Sequence, residues 1–408
     1  MLAAAVVWVI AIVVLWRTKI PSNLPRARLD PRDFFTAAEL DETAAYERFY
    51  YVSWALSQAA TLAALVVLAR LAPRWARTLG LGRVGSGVVI GMLTLTTLWF
   101  VGLPFSLANR WWQQRHDLTR GSWIDWLTDP WLQLIGEAVV VFVLLAVLLA
   151  LAGRFPRGWW LVAVPVLVAL SVVVAIAYGG LAALDSHPIR NPSLYREAQA
   201  LARKEGAQGT PVEVQDVGGT TTQANAMAVG LGPTERVVLW DTLLDGRFSR
   251  DEVRFILGHE FGHIVRGHLW KGLIWFVLFA VPGLGLLAWI TGRRGGMGDP
   301  GVLPYGILVL VLIELAVTPL SNVVSRRYES EADWMALQTT RDPRAGRGVF
   351  VEFSKTSLAR PNPPTWAYVL FETHPTLMQR IAMTESFAAR NSLGEGGRAD
   401  GGAQRNRP

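Results

Sequence analysis

Two histidines four residues apart, with a glutamate following the first, make up the stretch His259-Glu260-Phe261-Gly262-His263. On an α-helix each residue turns about 100°, so the two imidazoles lie within roughly 40° of one another and can reach one metal ion. Glu260 sits about 100° round from His259, near enough to address a water on that metal without binding it. The layout implies one Zn2+ per chain and hydrolysis of a peptide bond, with the metal as Lewis acid and Glu260 as general base.

A catalytic zinc usually takes three protein ligands. His268 follows closely, but the longer H-E-x-x-H-x-x-G-x-x-H pattern places its last histidine one residue later. On an unbroken helix His268 falls roughly 140° from His263, which suits a supporting or capping role better than metal contact. The segment Ser325-Arg326-Arg327-Tyr328-Glu329-Ser330-Glu331-Ala332-Asp333 offers more. Glu329 and Asp333 share a helical face one turn apart. Glu329 could complete a His, His, Glu set while Asp333 accepts the N–H of a ligating imidazole. The alternative for Glu329 is an ion pair with Arg326 or Arg327. Glu331 points elsewhere on such a helix and is expected in solvent.

The elements around the motif suit its chemistry. Ser249-Arg250-Asp251-Glu252 is a capping box, and Val253, Ile256, Leu257, Phe261, Ile264 and Val265 give the following helix an apolar stripe. Asn191-Pro192 opens an earlier helix through about Lys204. Strands are expected over Pro211 to Val217, Thr220 to Val229 and Arg236 to Trp240, with a Gly218-Gly219 turn between the first two. His116 and His187 match no motif and read as structural.

The rest of the chain is very apolar. Of 408 residues, 51% are hydrophobic and 17% charged, and the mean hydropathy of +0.30 implies many membrane spans. The formal charge is +7. The arginines flank apolar stretches instead of forming basic runs with interleaved aromatics, which fits lipid headgroups and argues against a nucleic-acid partner. There is no cysteine, hence no disulfide, thiolate zinc site or cysteine nucleophile. The Arg, Ala and Gly bias suggests a bacterial cell membrane.

About seven stretches are long enough to span: Leu2 to Trp16, Tyr51 to Leu71, Val88 to Leu107, Leu132 to Ala152, Trp159 to Leu184, Leu269 to Ile290 and Val302 to Val323. The first is short and reads as an anchor in preference to a signal peptide. Trp111, Trp112, Trp131, Trp159 and Trp160 fall at span ends, as an aromatic belt would. Glu137 and Glu314 lie inside spans, where a carboxylate usually faces a cavity or a partner. The expected organisation is transmembrane helices over 1–184, a catalytic region with a small sheet over 185–268, further spans over 269–323, a second catalytic region over 324–386 and a disordered tail over 387–408. An even number of crossings puts the polar regions on one side. Arg17, Lys19, Arg26, Arg28, Arg32, Arg48, Arg326 and Arg327 favour the cytoplasm for that side, against Arg70, Arg74, Arg77, Arg83, Arg293 and Arg294 opposite.

The motifs occur in an order that resembles the M48 metallopeptidases, in particular the Ste24 or type 1 CAAX prenyl protease group. They are Asn225-Ala226, Gly230 to Leu244, His259-Glu260-x-x-His263, His268, Ser325-Arg-x-x-Glu329-x-x-Ala332-Asp333, and His374-Pro375 with Arg380. The resemblance implies a mainly α membrane protein, with about seven helices forming a barrel-like chamber around a small α+β zincin (gluzincin) catalytic domain. It implies His259, His263 and Glu329 as ligands, Glu260 as base, and His374 and Arg380 as catalytic groups near the scissile peptide. His374 would stabilise the oxyanion. Asn225 and Ala226 would pair with substrate backbone as an added strand. The implied substrate is a peptide or protein, prenylated or membrane-embedded. Ser330 stands where the family is usually aromatic, and Thr376 where a second proline is common, which bears on substrate preference. For His374 the alternative is a turn cap before Pro375; for Arg380, a surface or ion-pair residue; for Asn225, an ordinary strand-edge residue.

Two other readings remain from the sequence. An HtpX-like quality-control protease would share the chemistry, but that subgroup has fewer spans than the stretches before Trp159 supply. A non-catalytic membrane sensor or scaffold with a peptidase-like fold would not need the zinc set and Glu260.

Overall fold

The computed structural model describes residues 2–24, 27–128 and 131–403. The membrane part begins with α1 (Leu2–Leu15), α2 (Ala37–Thr78), α3 (Gly82–Arg115), the short α4 (Trp123–Thr128), α5 (Trp131–Arg154) and α6 (Trp159–Leu184). A polar region follows with β1 (His187–Pro188), α7 (Pro192–Glu205), β2 (Val212–Gln215), β3 (Ala226–Val229), β4 (Arg236–Trp240) and α8 (Arg250–Val265). Then come α9 (His268–Gly292), α10 (Leu303–Thr340), α11 (Pro343–Ser357), α12 (Thr365–Phe371) and α13 (Leu377–Ala403).

Among the described residues, six helices are long and apolar enough to cross a membrane: α2, α3, α5 from Gly136, α6, α9 and α10. The seventh expected span, α1, is 14 residues long, short of the roughly 20 a crossing needs. The helices leave large apolar side chains such as Leu56, Phe100, Phe142, Leu161, Ile274 and Leu312 exposed, as helices that meet lipid do. Inside, Val88, Leu145, Leu149, Leu287 and Leu303 form a core. Trp159 joins that core at 2% exposure and does not belong to an aromatic belt, whereas Trp111 is exposed. The Trp131 side chain and Arg26 lie outside the described residues. The stretch read as a tail continues as α13 to Ala403, and residues 404–408 lie outside the described residues.

The four strands form one sheet in the order β1-β2-β4-β3. β2 runs parallel to β4, and β3 antiparallel to it. β3 is therefore an edge. The expected strand from Thr220 pairs only from Ala226 onward. Residues 220–222 bind the loop after α3 instead: Arg120 N–H donates to Thr220 O at 2.7 Å and Thr222 Oγ1 donates to Asp117 O at 2.6 Å. This fixes the loop after α3 to the region that carries the sheet.

α8 carries His259 to His263, and α10 carries Ser325 to Asp333. α8 starts at Ser249, whose hydroxyl accepts from Glu252 N while Glu252 accepts from Ser249 N, satisfying two of the free N–H groups of a helix start. α10 runs unbroken from the membrane to Thr340, because nothing between 320 and 340 interrupts it; the last span and the expected second motif helix are one element. α8 packs on α10 through small residues. A Cβ on Gly258 would lie 3.3 Å from Ala336 Cα, and one on Gly262 3.3 Å from Ala332 Cα and 3.2 Å from Met335 Cβ. Phe255, Phe261, Leu337 and Phe350, each at most 1% exposed, seal the surrounding core, each large side chain contributing about 1.5–3 kcal/mol.

This contact makes a prediction. Gly262→Val overfills the α8–α10 seam, at a cost of about 1–3 kcal/mol, and should lower both the unfolding temperature and the metal content of detergent-purified protein. Gly272→Val on α9, where an added Cβ meets nothing within 4 Å, should change neither. Equal effects at the two positions would contradict the packing account.

Candidate active site

The α8–α10 contact brings His259, His263 and Glu329 together. His259 Nε2 lies 3.1 Å from His263 Nε2 and 3.2 Å from Glu329 Oε2, and His263 Nε2 lies 3.4 Å from Glu329 Oε1. All three offer ligand atoms within 4.8 Å of one another. Glu329 Oε2 is buried and makes no hydrogen bond, which leaves it available to a cation held between the two imidazoles. Burial opposes charge on His259, yet Asp333 and Glu329 outweigh it and raise its pKa to about 10. The pocket favours positive charge, and two imidazoles plus a carboxylate fit a divalent metal ion. Arg326 and Arg327 are engaged elsewhere, with Tyr368 O and Glu372 O and with Trp16 O, so the ion-pair alternative for Glu329 is not realised.

Each histidine is backed from behind. His259 Nδ1 is 2.9 Å from Asp333 Oδ1. Arg380 Nε and Nη2 donate to the two oxygens of Asp333 at 2.8 and 2.6 Å. Arg380 thus reaches the wall of the cleft, but two of its nitrogens already serve Asp333. It is 9% exposed. On the other side, His268 Nδ1 is 3.0 Å from His263 Nδ1. Gly267, in the left-handed region at φ 61°, ends α8 and restarts the chain as α9, so His268 escapes the phase of an unbroken helix.

Glu331 departs from expectation. Expected in solvent, it is fully buried and meets Arg266, His268, Lys271 and the Lys19 backbone. A helix phase says which way a side chain leaves its own axis, not which helix waits there. The clue available was the run of basic residues Arg266, His268 and Lys271 after the motif.

Glu260 is 7% exposed and lines a small cleft of about 80 Å³ together with Asn225, Ala226, His374 and Arg380. Apolar side chains from α8 and α11, among them Phe255, Val349, Phe350 and Phe353, form its other wall, which sequence reading did not single out. His374 is half exposed, with Nε2 3.2 Å from Glu329 Oε2 and Nδ1 3.0 Å from the Thr373 hydroxyl. Burial of its inner side lowers its pKa, while Glu329 pulls the other way. The cap at the start of α13 is Thr376, which exchanges hydrogen bonds with Gln379, so His374 is not the turn cap. Asn225 accepts from Ala226 N at the head of β3. His116 and His187 lie outside this cleft, bonded near Trp112 O and Asp216.

The fold and site define a membrane-embedded metallopeptidase. The profile of peptidase family M48 matches residues 188–388, and that of the CAAX prenyl protease N-terminal region, described as five membrane helices, matches 11–183. The chain belongs to the M48 peptidases and is a multi-pass membrane protein with a Ste24-like fold that acts on peptides or proteins. It is 27% identical over 317 residues to the protein described as uncharacterized metalloprotease YhfN of Bacillus subtilis (strain 168), covering 73% of this chain and 72% of that one. The CAAX prenyl protease 1 homolog of Oryza sativa subsp. japonica is 24% identical over 173 residues, 40% of each chain. The protease HtpX homolog of Ralstonia pickettii (strain 12J) is 27% identical over 193 residues, 47% of this chain and 64% of that one. For these last two, the match spans less than two thirds of the relative. In fold, the chain is similar to the crystal structure of S. mikatae Ste24p, with a TM-score of 0.76 at 18% identity over 93% of this chain and 96% of that one.

Near the site, Glu205 at the end of α7 is buried with neither carboxylate oxygen hydrogen-bonded. Burial raises its pKa from 4.5 to about 8, against the pull of His259, the Thr339 hydroxyl and Lys204. The folded state therefore binds this proton more tightly than the unfolded state, and stability falls as pH rises from about 4.5 to about 8. Glu205→Gln should raise the unfolding temperature at pH 8 by at least about 2 °C and leave it unchanged at pH 4. The same gain at both pH values would contradict the assignment.

Proposed function

We propose that this protein is a zinc-dependent integral-membrane endopeptidase in which His259, His263 and Glu329 hold the metal and Glu260 is the general base. The observation that carries this reading is the convergence of those three donors beside Glu260, in a cleft edged by a free strand. Zinc held there supplies Lewis acidity, bringing a water's pKa to about 7 and polarising a carbonyl.

The chain's own residues account for the rest. An extended substrate adds to the edge of β3, with Asn225 and Ala226 at the head of the strand to receive its backbone. Glu260 takes a proton from the attacking water and returns it to the departing amine. A Thr373 hydroxyl donating to His374 Nδ1 leaves the proton of that ring on Nε2, where it faces the cleft and can donate to the developing oxyanion. Arg380 acts through Asp333, holding the carboxylate that orients His259.

The preferred substrate is a membrane-associated peptide or protein of the CAAX-prenylated class, a reading supported by the five-helix N-terminal region. The second reading is an HtpX-like quality-control protease acting on membrane proteins, favoured by the likeness to HtpX homologues over the catalytic half. The reading places the catalytic region on the cytoplasmic side of a bacterial cell membrane, on the strength of the basic residues after α1 and in α10.

Wild type and Glu260→Gln should be compared in detergent on prenylated and unprenylated peptides. The variant should lose about 10²–10⁴-fold in turnover and keep its zinc. Preference for prenylated peptides supports the first substrate reading, and indifference supports the second. Full activity in the variant would refute Glu260 as base, and loss of zinc would make it a ligand.

A further inference from the structure

Asp333 supports His259 from α10, and the same helix supplies support for His263 two residues earlier. His268 bridges the gap. Its Nδ1 is 3.0 Å from His263 Nδ1, and its Nε2 is 3.1 Å from Glu331 Oε2. Glu331 is fixed by further donors: Lys19 N at 2.8 Å and Arg266 Nε at 2.7 Å, with Lys271 Nζ at 3.8 Å. The His268 ring stacks on Tyr328, centroids 4.7 Å apart. The Tyr328 hydroxyl accepts from Trp275 Nε1 at 2.8 Å and donates to Leu15 O at 2.9 Å. His268 is thus held on both nitrogens and on one face.

The protons can be counted. An imidazole that offers its Nε2 lone pair to a cation carries its proton on Nδ1. That Nδ1–H of His263 faces His268 Nδ1, which must be bare to accept it. The proton of His268 then sits on Nε2, facing Glu331, an ionised carboxylate that can only accept. The opposite tautomer of His268 would set two N–H groups against each other and a lone pair against a carboxylate. Only one arrangement satisfies every group.

We propose that His268 and Glu331 are positioning residues for His263, a relay that holds its ring in the Nδ1–H tautomer and aims Nε2 at the metal. The relay rests on the reading of His263 and Glu329 as ligands. It is the counterpart of Arg380–Asp333 behind His259, and through Lys19 it ties the segment after α1 to the metal site.

The test is zinc affinity of the full chain in detergent, measured by competition with a chromophoric chelator. His268→Phe keeps a ring against Tyr328 but offers no acceptor, and should weaken zinc binding about 10–100-fold. His268→Gln, whose amide oxygen can accept from His263 and whose amide N–H can donate to Glu331, should recover most of that loss. Glu331→Gln should weaken binding in the same direction, and adding it to His268→Phe should cost nothing further, because the two act through one path. Wild-type affinity in His268→Phe, no recovery in His268→Gln, or additive losses in the double variant would each overturn the relay. The histidine pair decides the matter even where Glu331→Gln fails to fold. Glu329→Gln separates the two levels. If it loses zinc while the His268 variants do not, the relay alone fails. If it keeps wild-type affinity, the ligand reading fails and takes the relay with it.

Discussion

The site depends on how closely α8 approaches α10. Gly258 and Gly262 present bare backbone to Ala332 and Ala336, one turn apart on each helix. That approach puts two imidazoles from one helix within 3.4 Å of a carboxylate from the other. A larger side chain in the seam would push the two helices apart and separate Glu329 from the two imidazoles. The pattern within the motif therefore has a packing meaning as well as a chemical one: Gly262 lies between the two histidines and lets their partner helix come near.

α10 also joins the two halves of the molecule. Its apolar part lies among the membrane helices, and its last turns supply Glu329, Glu331 and Asp333. Such a concentration of buried acid would be untenable alone. Each carboxylate instead meets cations or imidazoles: Glu329 His259 and His263, Asp333 Arg380 and His259, Glu331 Arg266, His268 and Lys271. Placement of the candidate metal donors and compensation of buried charge are one arrangement. Glu205 lacks such a partner and is correspondingly shifted towards its neutral form.

Much of this was legible in the sequence because it is local. The capping box at Ser249, the face shared by His259 and His263, and the pairing of Glu329 with Asp333 follow from residue spacing along one helix. Long-range pairing is what spacing does not encode. Glu331 points away from Glu329 on its helix, and the turn at Gly267 is what brings the basic run Arg266, His268 and Lys271 to meet it there. The strand expected from Thr220 was shortened for the same reason, since residues 220–222 found partners a hundred positions earlier. The merger of the last span with the following motif helix required only that nothing break it, which a reading by separate segments passes over. Among the described residues the spans came out at six long helices and a 14-residue α1, because composition marks apolar stretches without measuring the helices that hold them.

The most direct measurement of the central claim is anomalous diffraction at the zinc edge from crystals of the purified protein. The account predicts one peak per chain, about 2.0–2.2 Å from His259 Nε2, His263 Nε2 and an oxygen of Glu329. A peak elsewhere, or one that includes the two histidines but not Glu329, would contradict it.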